Sequence, residues 1–282
     1  MDSRSDLNRA IGLWVVLSIV ADLLIGFLLA PHMPPGNFSN TASDQTQINI
    51  ILALILAPIG VGVITLFVYA LFTFRQPAGP IQDGPPVKGH QRLQTGWVGV
   101  TTLIVIILAI VGTVELLQSP TSASGAGSGG GQGATPISNP SGNPLQVQVI
   151  AQQWWFTYRY PQYGGVETFS LALPVDRTVE FHVTSLDVIH SFWAYQLGVK
   201  ADAVPGADNI AFTVPKHIGL FQVRCAELCG LFHGYMAAHG RVLSRSGFAA
   251  WIAKARQFNG PVMRYLPKYA KTYYPDPQQR GG

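Results

Sequence analysis

The sequence predicts a membrane-anchored protein of mixed class, in which transmembrane helices are followed by an all-β sandwich or small barrel. Of its 282 residues, 48% are hydrophobic and only 11% are charged, which is too apolar for an ordinary soluble protein. The apolar residues form long runs up to residue 117, whereas after residue 145 they alternate with polar residues. Long apolar runs predict helices that cross a bilayer, and alternation predicts half-buried strands.

The membrane anchor is predicted over residues 1–117, with helices at about 11–30, 48–74 and 97–117. The first run could instead be a cleavable secretory signal, but its apolar part is longer than a typical signal core, which favours a retained helix. It contains Asp22. A carboxylate at membrane depth is a functional-site hypothesis by default, although contact with a partner helix or with a polar group of another subunit would also explain it.

The charges between the spans predict the orientation of a multi-pass protein. Residues 31–47 contain no lysine or arginine, whereas the loop over 75–96 contains Arg75, Lys88 and Arg92. Basic loops stay on the cytoplasmic side. We therefore expect a cytoplasmic amino terminus and a carboxy-terminal half on the outer, periplasmic side of a bacterial-type cell membrane or an inner membrane.

The composition changes again after the anchor. Residues 118–144 are rich in Gly, Ser and Pro, which is typical of a flexible linker. Residues 145–258 form the predicted β domain, with alternating segments at 145–150, 178–184 and 220–224. Several short strands between turn residues indicate a sandwich or barrel.

A helix is predicted at the end of this domain. Ser246 is placed to cap a helix that runs through residues 248–255. The tail over 259–282 has no clear periodicity, and we expect it to wrap over a partner or to stay loose.

Soft metal ligands are concentrated in a stretch of twelve residues, from Cys225 to Met236, which also contains Cys229 and His233. His190 is a second imidazole upstream. Thiolate, imidazole and thioether ligands favour copper or zinc over magnesium, calcium or manganese, and the thioether favours copper. A mononuclear blue-copper site uses one cysteine, so the second thiol indicates two metals that share bridging sulfurs.

A disulfide is the alternative for the two cysteines. Cys225 and Cys229 are the only cysteines of the chain, and a three-residue gap could close a small disulfide loop in an oxidising compartment. The spacing alone does not decide between a disulfide and a metal. The histidines and the methionine at their offsets favour copper.

These residues resemble the binuclear copper (CuA) motif of subunit II of cytochrome c oxidase. The resemblance covers roughly residues 48–255, including the flanks 153–156, 187–193 and 200–206. It implies a cupredoxin fold and a subunit of a haem-copper terminal oxidase, an oxidoreductase of the respiratory chain. Such a subunit takes electrons from cytochrome c or a similar external donor and passes them to haem in a separate catalytic subunit I, which reduces O2 to water.

The resemblance also implies a role for each residue of the motif. The implied copper ligands are two bridging thiolates, two imidazoles, a weak thioether and one backbone carbonyl, supplied by Cys225, Cys229, His190, His233, Met236 and Glu227. Trp154 would be the exposed tryptophan through which the electron enters, while Phe156 and Tyr158 belong to a buried aromatic cluster. The side chain of Glu227 would reach a Mg2+ ion shared with the catalytic subunit, because a carboxylate suits that hard cation.

The sequence departs from the family pattern at two places. Gln94 stands where many members have a glutamate near a proton pathway, and an amide cannot carry a titratable proton. The region after Pro161 is nearly free of the clustered acids that attract a basic cytochrome c. We therefore expect a donor that is not strongly basic.

Other functions remain as alternatives or are excluded. Basic residues are scattered, so no nucleic-acid partner is expected. The intact ligand set argues against a copper-free quinol-oxidase subunit, and no Cys-x-x-Cys-His haem motif is present. A CuA subunit of a related nitric oxide reductase and a membrane-anchored copper chaperone remain alternatives. The other histidines, including His182 and His239, are interpreted as structural.

Overall fold

The computed structural model describes residues 3–75, 79, 89–118 and 143–263. These residues form two compact units. One is drawn from Met1–Met33 and Asn49–Leu117, and the other from Pro34–Ile48 and Gln118–Gly282. Nearly all of the predicted linker and most of the predicted tail lie outside the described residues, as does Lys88.

The first unit contains the apolar helices. The helices of this part of the chain are α1 (Ser3–Leu24), α2 (Asn40–Thr73) and α3 (Gln91–Gln118). A π-helical stretch, Ile25–Leu29, follows α1. Among the described residues, three segments are long and apolar enough to cross a membrane, namely Ser5–His32, Asn40–Thr73 and Gln91–Val114. Each of the three helices begins earlier than the sequence indicated.

Residues 40–47 were expected in a loop, but they form the first turns of α2. Ser39 caps this helix, because its Oγ accepts a hydrogen bond from the Ala42 N–H at 3.0 Å. The Ser39 hydroxyl also donates to the Leu197 carbonyl at 2.8 Å, and the Phe38 carbonyl accepts from the Lys216 N–H at 2.7 Å. These contacts lie within the second unit. The expected loop was wrong because residues 40–47 are polar and show no apolar periodicity from which a helix could be predicted.

Helices α1 and α2 share two hydrogen bonds. Trp14 Nε1 donates to the Pro58 carbonyl at 2.8 Å, and the Tyr69 hydroxyl donates to Asp6 Oδ1 at 3.2 Å. The Oδ1 atom of Asp22 is buried, with no hydrogen-bond partner among the described residues. The function of Asp22 stays a hypothesis, as does that of Gln94, which is exposed on α3.

The second unit is a sandwich of two five-stranded sheets. Its strands are β1 (Leu145–Gln152), β2 (Trp155–Tyr160), β3 (Val166–Thr168), β4 (Ala172–Pro174), β5 (Val179–Ser185), β6 (His190–Ala194), β7 (Val199–Ala203), β8 (Asn209–Thr213), β9 (Gly219–Cys225) and β10 (Ala237–Leu243). Sheet 1 has the order β3-β2-β1-β5-β8, and sheet 2 has the order β4-β10-β9-β6-β7. The pairs β1·β5 and β4·β10 are parallel, and the other pairs are antiparallel. The predicted fold class, apolar helices followed by a cupredoxin-like sandwich, is confirmed.

The core lies between the two sheets, and aromatic rings dominate its centre. Phe192 of sheet 2 contacts Phe156, Tyr158 and Phe181 of sheet 1, with ring centroids 5.9, 6.4 and 5.2 Å apart. All four rings are buried. The expected burial of Phe156 and Tyr158 is therefore confirmed.

Helix α4 (Arg245–Met263) ends the described chain, and it corrects the expected cap. Ser244, not Ser246, caps the helix, since its Oγ accepts from the Gly247 N–H at 3.0 Å. Ser246 lies within the first turn, where its side chain contacts the Ser244 hydroxyl at 3.3 Å. The helix also continues into the segment expected to be an irregular tail. Its Phe248 packs against Tyr160 of the sandwich.

Candidate metal centre

Sheet 2 brings the predicted ligands together. His190 begins β6 and Cys225 ends β9, and these strands are antiparallel neighbours in which Phe192 pairs with Cys225. The loop from β9 to β10 supplies Cys229, His233 and Met236. The Cys225 N–H donates to the Met236 carbonyl at 3.0 Å and closes this loop. Two neighbouring strands and one closed loop therefore position the whole set.

The sulfur and nitrogen atoms of the five side chains converge. Cys225 Sγ lies 3.8 Å from Cys229 Sγ and 3.8 Å from His190 Nδ1. Cys229 Sγ lies 3.5 Å from His233 Nδ1 and 3.9 Å from Met236 Sδ. His190, Cys229 and Met236 are buried, and Cys225 is half-buried. This cluster can hold metal in a site that largely excludes water.

The donor set fits a thiolate-bound soft metal. Both cysteines are free, and their 3.8 Å separation is far longer than a disulfide bond of about 2.05 Å. Burial, together with the neighbouring Cys225, raises the pKa of the Cys229 thiol to about 12. Ionising the Cys229 thiol at neutral pH therefore requires a nearby positive charge, which a bound metal ion would provide.

Asp187 orients the first imidazole, a role that the sequence analysis missed. Its Oδ1 lies 2.9 Å from His190 Nε2, so this nitrogen carries the proton. The unprotonated Nδ1 faces Cys225, where its lone pair can bind a metal. Burial alone would raise the pKa of Asp187, but hydrogen bonds from the Gln153 N–H, His190 and the Val188 N–H lower it. The signal was present in the sequence, because Asp187 precedes the ligand by three residues.

Trp154 lies beside the ligand loop, but it is half-buried rather than exposed as expected. Its Nε1 donates to the Cys229 carbonyl at 3.2 Å, and Gln153 Nε2 donates to the same oxygen at 2.9 Å. The indole also packs edge-on against Phe232, with centroids 4.8 Å apart. These contacts hold the ring against the loop and limit its exposure, whereas the next residue, Trp155, is 48% exposed.

Glu227 contributes its backbone to the cluster. Its carbonyl accepts a hydrogen bond from Cys225 Sγ at 3.3 Å, and its side chain points into an exposed region. Among the described residues, His190, Cys225 and Cys229 form the group of three side chains that could hold a metal. The Glu227 carboxylate does not belong to this group. The Mg2+ site therefore stays a prediction.

The remaining histidines lie away from the cluster. His182 Nδ1 binds Asp208 Oδ2 at 2.8 Å, and Nε2 lies 3.4 Å from Glu180 Oε1. Burial alone would lower the pKa of His182, but the two carboxylates outweigh it and raise the pKa to about 9. His239 is exposed on β10. The ion pairs of His182 agree with a structural role, and the interpretation of His239 stays a prediction.

The fold and the cluster together define a class: membrane-anchored proteins whose cupredoxin-like domain carries a thiolate and imidazole metal site. Residues 168–240 match the family model for the periplasmic domain of cytochrome c oxidase subunit II. The chain belongs to the cytochrome c oxidase subunit II family, whose members are components of an oxidoreductase complex.

Curated relatives with the name cytochrome c oxidase subunit 2 cover most of the chain. The protein of Thermostichus vulcanus is 29% identical over 85% of this chain and 84% of its own length. The protein of Synechocystis sp. is 30% identical over 67% of this chain and 65% of its own length. The protein of Bacillus subtilis is 27% identical over 92% of this chain and 72% of its own length. Among solved structures, the periplasmic domain of subunit II of cytochrome oxidase of Bradyrhizobium japonicum is 31% identical, with a TM-score of 0.39, over 40% of this chain and 94% of that domain.

Proposed function

We propose that this chain is the electron-accepting subunit of a haem-copper terminal oxidase. Its binuclear copper (CuA) centre receives electrons from cytochrome c or a similar external donor, and the electrons pass to haem in catalytic subunit I. There O2 is reduced to water. The observation that carries this proposal is the buried cluster in which the free thiols of Cys225 and Cys229 lie 3.8 Å apart between two imidazoles.

In this proposal each ligand has a defined task. Cys225 and Cys229 would each supply a thiolate to the copper pair, and His190 and His233 would each supply one nitrogen. Met236 and the Glu227 carbonyl are weak ligands, in agreement with their positions beside the two sulfurs. When bound, the copper pair takes up and releases one electron at a time.

The surrounding residues keep the ligands in place. Asp187 orients His190, and Gln153 fixes the carbonyl of Cys229. Packing of the buried ligands against the sandwich core excludes water. A rigid ligand set changes little between oxidation states, which favours fast electron transfer.

We infer that electrons enter through Trp154. Phe232 is 46% exposed and contacts the Trp154 ring, whose Nε1 donates to the Cys229 carbonyl. The path from the exposed Phe232 ring to a copper ligand therefore needs one aromatic contact and one hydrogen bond. The sandwich would lie on the outer side of the membrane, with the amino terminus in the cytoplasm, and the exposed carboxylate of Glu227 would face subunit I and a shared Mg2+.

The test is to load the purified full-length chain with copper in detergent. We expect two coppers per chain and a seven-line electron paramagnetic resonance (EPR) spectrum. Cys229→Ser should abolish the seven-line pattern. His239→Ala is the matched control, since this histidine lies outside the cluster, and it should retain both coppers.

The proposal is wrong if the wild-type chain binds one copper, or binds none and oxidises Cys225 and Cys229 to a disulfide. One exchangeable Cu(I) would instead indicate a copper chaperone. A disulfide would indicate a structural role for the loop.

A further inference from the structure

The outer face of sheet 2 carries basic and aromatic side chains that extend from the metal centre along β9 and β10. Along β7, β9 and β10 the inward residues are buried, so their neighbours in sequence point away from the core. We call this surface the basic face, and it consists of Trp193, Tyr195, Lys200, Arg224, His239 and Arg241. All six residues are exposed or half-buried.

The strand register places this surface beside the ligands. Lys200 and Arg224 are both direct cross-strand partners of Trp193, so the three residues form one row across β7, β6 and β9. Arg224 immediately precedes the ligand Cys225. A molecule that covers this row is therefore one residue away from the metal centre.

Arg224 is held in a fixed orientation without an acidic partner. Its guanidinium lies 5.8 Å from the centroid of the Tyr195 ring, and its Nη2 donates to Gln222 Oε1 at 2.7 Å. The Tyr195 hydroxyl donates to the same Gln222 oxygen at 3.3 Å. A cation held by a ring and an amide keeps its charge and loses little freedom when an anion binds.

Little negative charge compensates this face. Within the five strands of sheet 2, Asp202 is the only acidic residue, and it pairs with Lys200 at 3.5 Å. An exposed ion pair of this kind contributes little to stability. Over the residues that the structure describes, no ion pair is formed by Arg224 or Arg241, so their charges face solvent.

An apolar area adjoins the basic face at the metal centre. Leu228, Leu231 and Tyr235 of the ligand loop are 80%, 84% and 85% exposed. From Leu228 to Gly240 the chain has no Asp, Glu, Lys or Arg. An apolar centre with a charged border is the usual anatomy of a protein interface, in which the charges steer the encounter.

We propose that the basic face is the docking surface of an electron donor whose own surface around its redox group is acidic. This inference rests on the proposed function, because a donor is needed only if the site accepts electrons. Charge complementarity identifies the occupant as a small acidic redox protein. Attraction of this kind raises the association rate by roughly 10- to 1,000-fold at low salt.

The test uses the assembled oxidase and two forms of one donor. The probes are a basic cytochrome c and the same protein after succinylation of its lysines, which makes its surface acidic. Stopped-flow spectroscopy gives the second-order rate constant of copper-centre reduction at several ionic strengths. We expect the succinylated form to react roughly tenfold faster at low salt, with an advantage that disappears as salt screens the charges.

Charge reversal then locates the surface. Arg224→Glu combined with Arg241→Glu should slow the succinylated donor roughly tenfold and accelerate the unmodified one. Lys254→Glu makes the same change in charge per residue at an exposed position of α4 and should alter neither rate. Because Arg224 adjoins a ligand, Arg241→Glu alone is the second variant, with the same direction of change. Each variant must retain two coppers and the seven-line spectrum.

Two results would overturn the docking proposal while leaving the copper site intact. One is a faster, salt-sensitive reaction with the unmodified basic cytochrome, or equal rates for both forms. The other is an effect of the double variant that appears only in nanodiscs of anionic lipid and not in those of zwitterionic lipid, which would assign the basic face to the membrane surface. Loss of copper from the wild-type protein would instead contradict the proposed function.

Discussion

Two polar clusters of the sandwich, one on sheet 1 and one at the end of sheet 2, differ in the groups that surround them. On sheet 1, His182 is enclosed by Asp208 and Glu180, so the charges are satisfied within the chain. On sheet 2, the thiols of Cys225 and Cys229 meet only other potential metal ligands and a backbone carbonyl. His182 is thus paired within the chain, while the donor atoms at the end of sheet 2 are arranged so that they could hold a metal ion.

The largest expected effect tests how strongly the two sheets depend on each other. Phe192→Ala removes the sheet 2 ring that contacts three aromatic rings of sheet 1. We expect the free energy of unfolding to fall by about 4 kcal/mol, because a large cavity remains in the core. Urea unfolding followed by circular dichroism measures this change. The control is Trp193→Ala at the neighbouring, 39% exposed position, and equal losses for both variants would contradict the central role of Phe192.

Removal of copper should affect the sheets unequally. At free copper about 100-fold above its dissociation constant, binding stabilises the folded state by about 3 kcal/mol, which a chelator removes. Hydrogen exchange should then accelerate over residues 187–193 and 225–237, the segments that contain the ligands, and change little in β1 and β5. A uniform acceleration in both sheets would contradict the prediction that copper stabilises mainly the segments that contain its ligands.

Alkaline pH should act on sheet 1 through His182. The pKa of this histidine is about 9 in the folded protein, above its ordinary value of 6.5. Its contribution to stability is therefore fully present below about pH 6.5 and is lost as the pH rises through 9. We expect a loss of roughly 2 kcal/mol between pH 7 and 10, after allowance for partial exposure.

The variant His182→Gln isolates this effect. It should be less stable at pH 7 and should have a flatter stability profile up to pH 10, as measured by urea unfolding. If wild type and variant lose the same stability over this pH range, the ion pairs with Asp208 and Glu180 are not its cause.

The smallest expected effect distinguishes two serines at the start of α4. Ser244→Ala should lower the free energy of unfolding by about 1 kcal/mol, because the Gly247 N–H loses its acceptor. Ser246→Ala should change it by no more than a few tenths of that amount. Thermal unfolding of both variants compares them directly, and a larger loss for Ser246→Ala would restore the cap expected from the sequence.

The fold class followed from the sequence because hydrophobic periodicity records burial directly. The alternation over residues 145–150 correctly predicted a strand, and the long apolar runs correctly predicted helices. The start of α2 was not predictable in this way. Its first turns are polar, and Ser39, which caps them, also donates to the Leu197 carbonyl, 158 residues away in the chain.

The candidate ligands also came from the sequence, because soft side chains at short spacing are chemically distinctive. The packing around these ligands could not be predicted from the sequence. The register that sets Trp193 beside Arg224 depends on how β6 and β9 pair, and no local pattern encodes that pairing. The partial burial of Trp154 likewise depends on the carbonyl of Cys229, which is 75 residues away.

The contact between Ser39 and Leu197 has a consequence for biogenesis. The unit that contains the sandwich is discontinuous in sequence, since residues 34–48 bind Leu197 and Lys216, which the ribosome adds much later. In the proposed orientation, residues 34–48 and the sandwich lie on the same side of the membrane, and both must be there before this unit can finish folding. A secreted fragment that starts at residue 145 would lack its own closing segment, so the Lys216 N–H would lose its acceptor and the Leu197 carbonyl would keep, among the described residues, only the Thr213 hydroxyl as a donor.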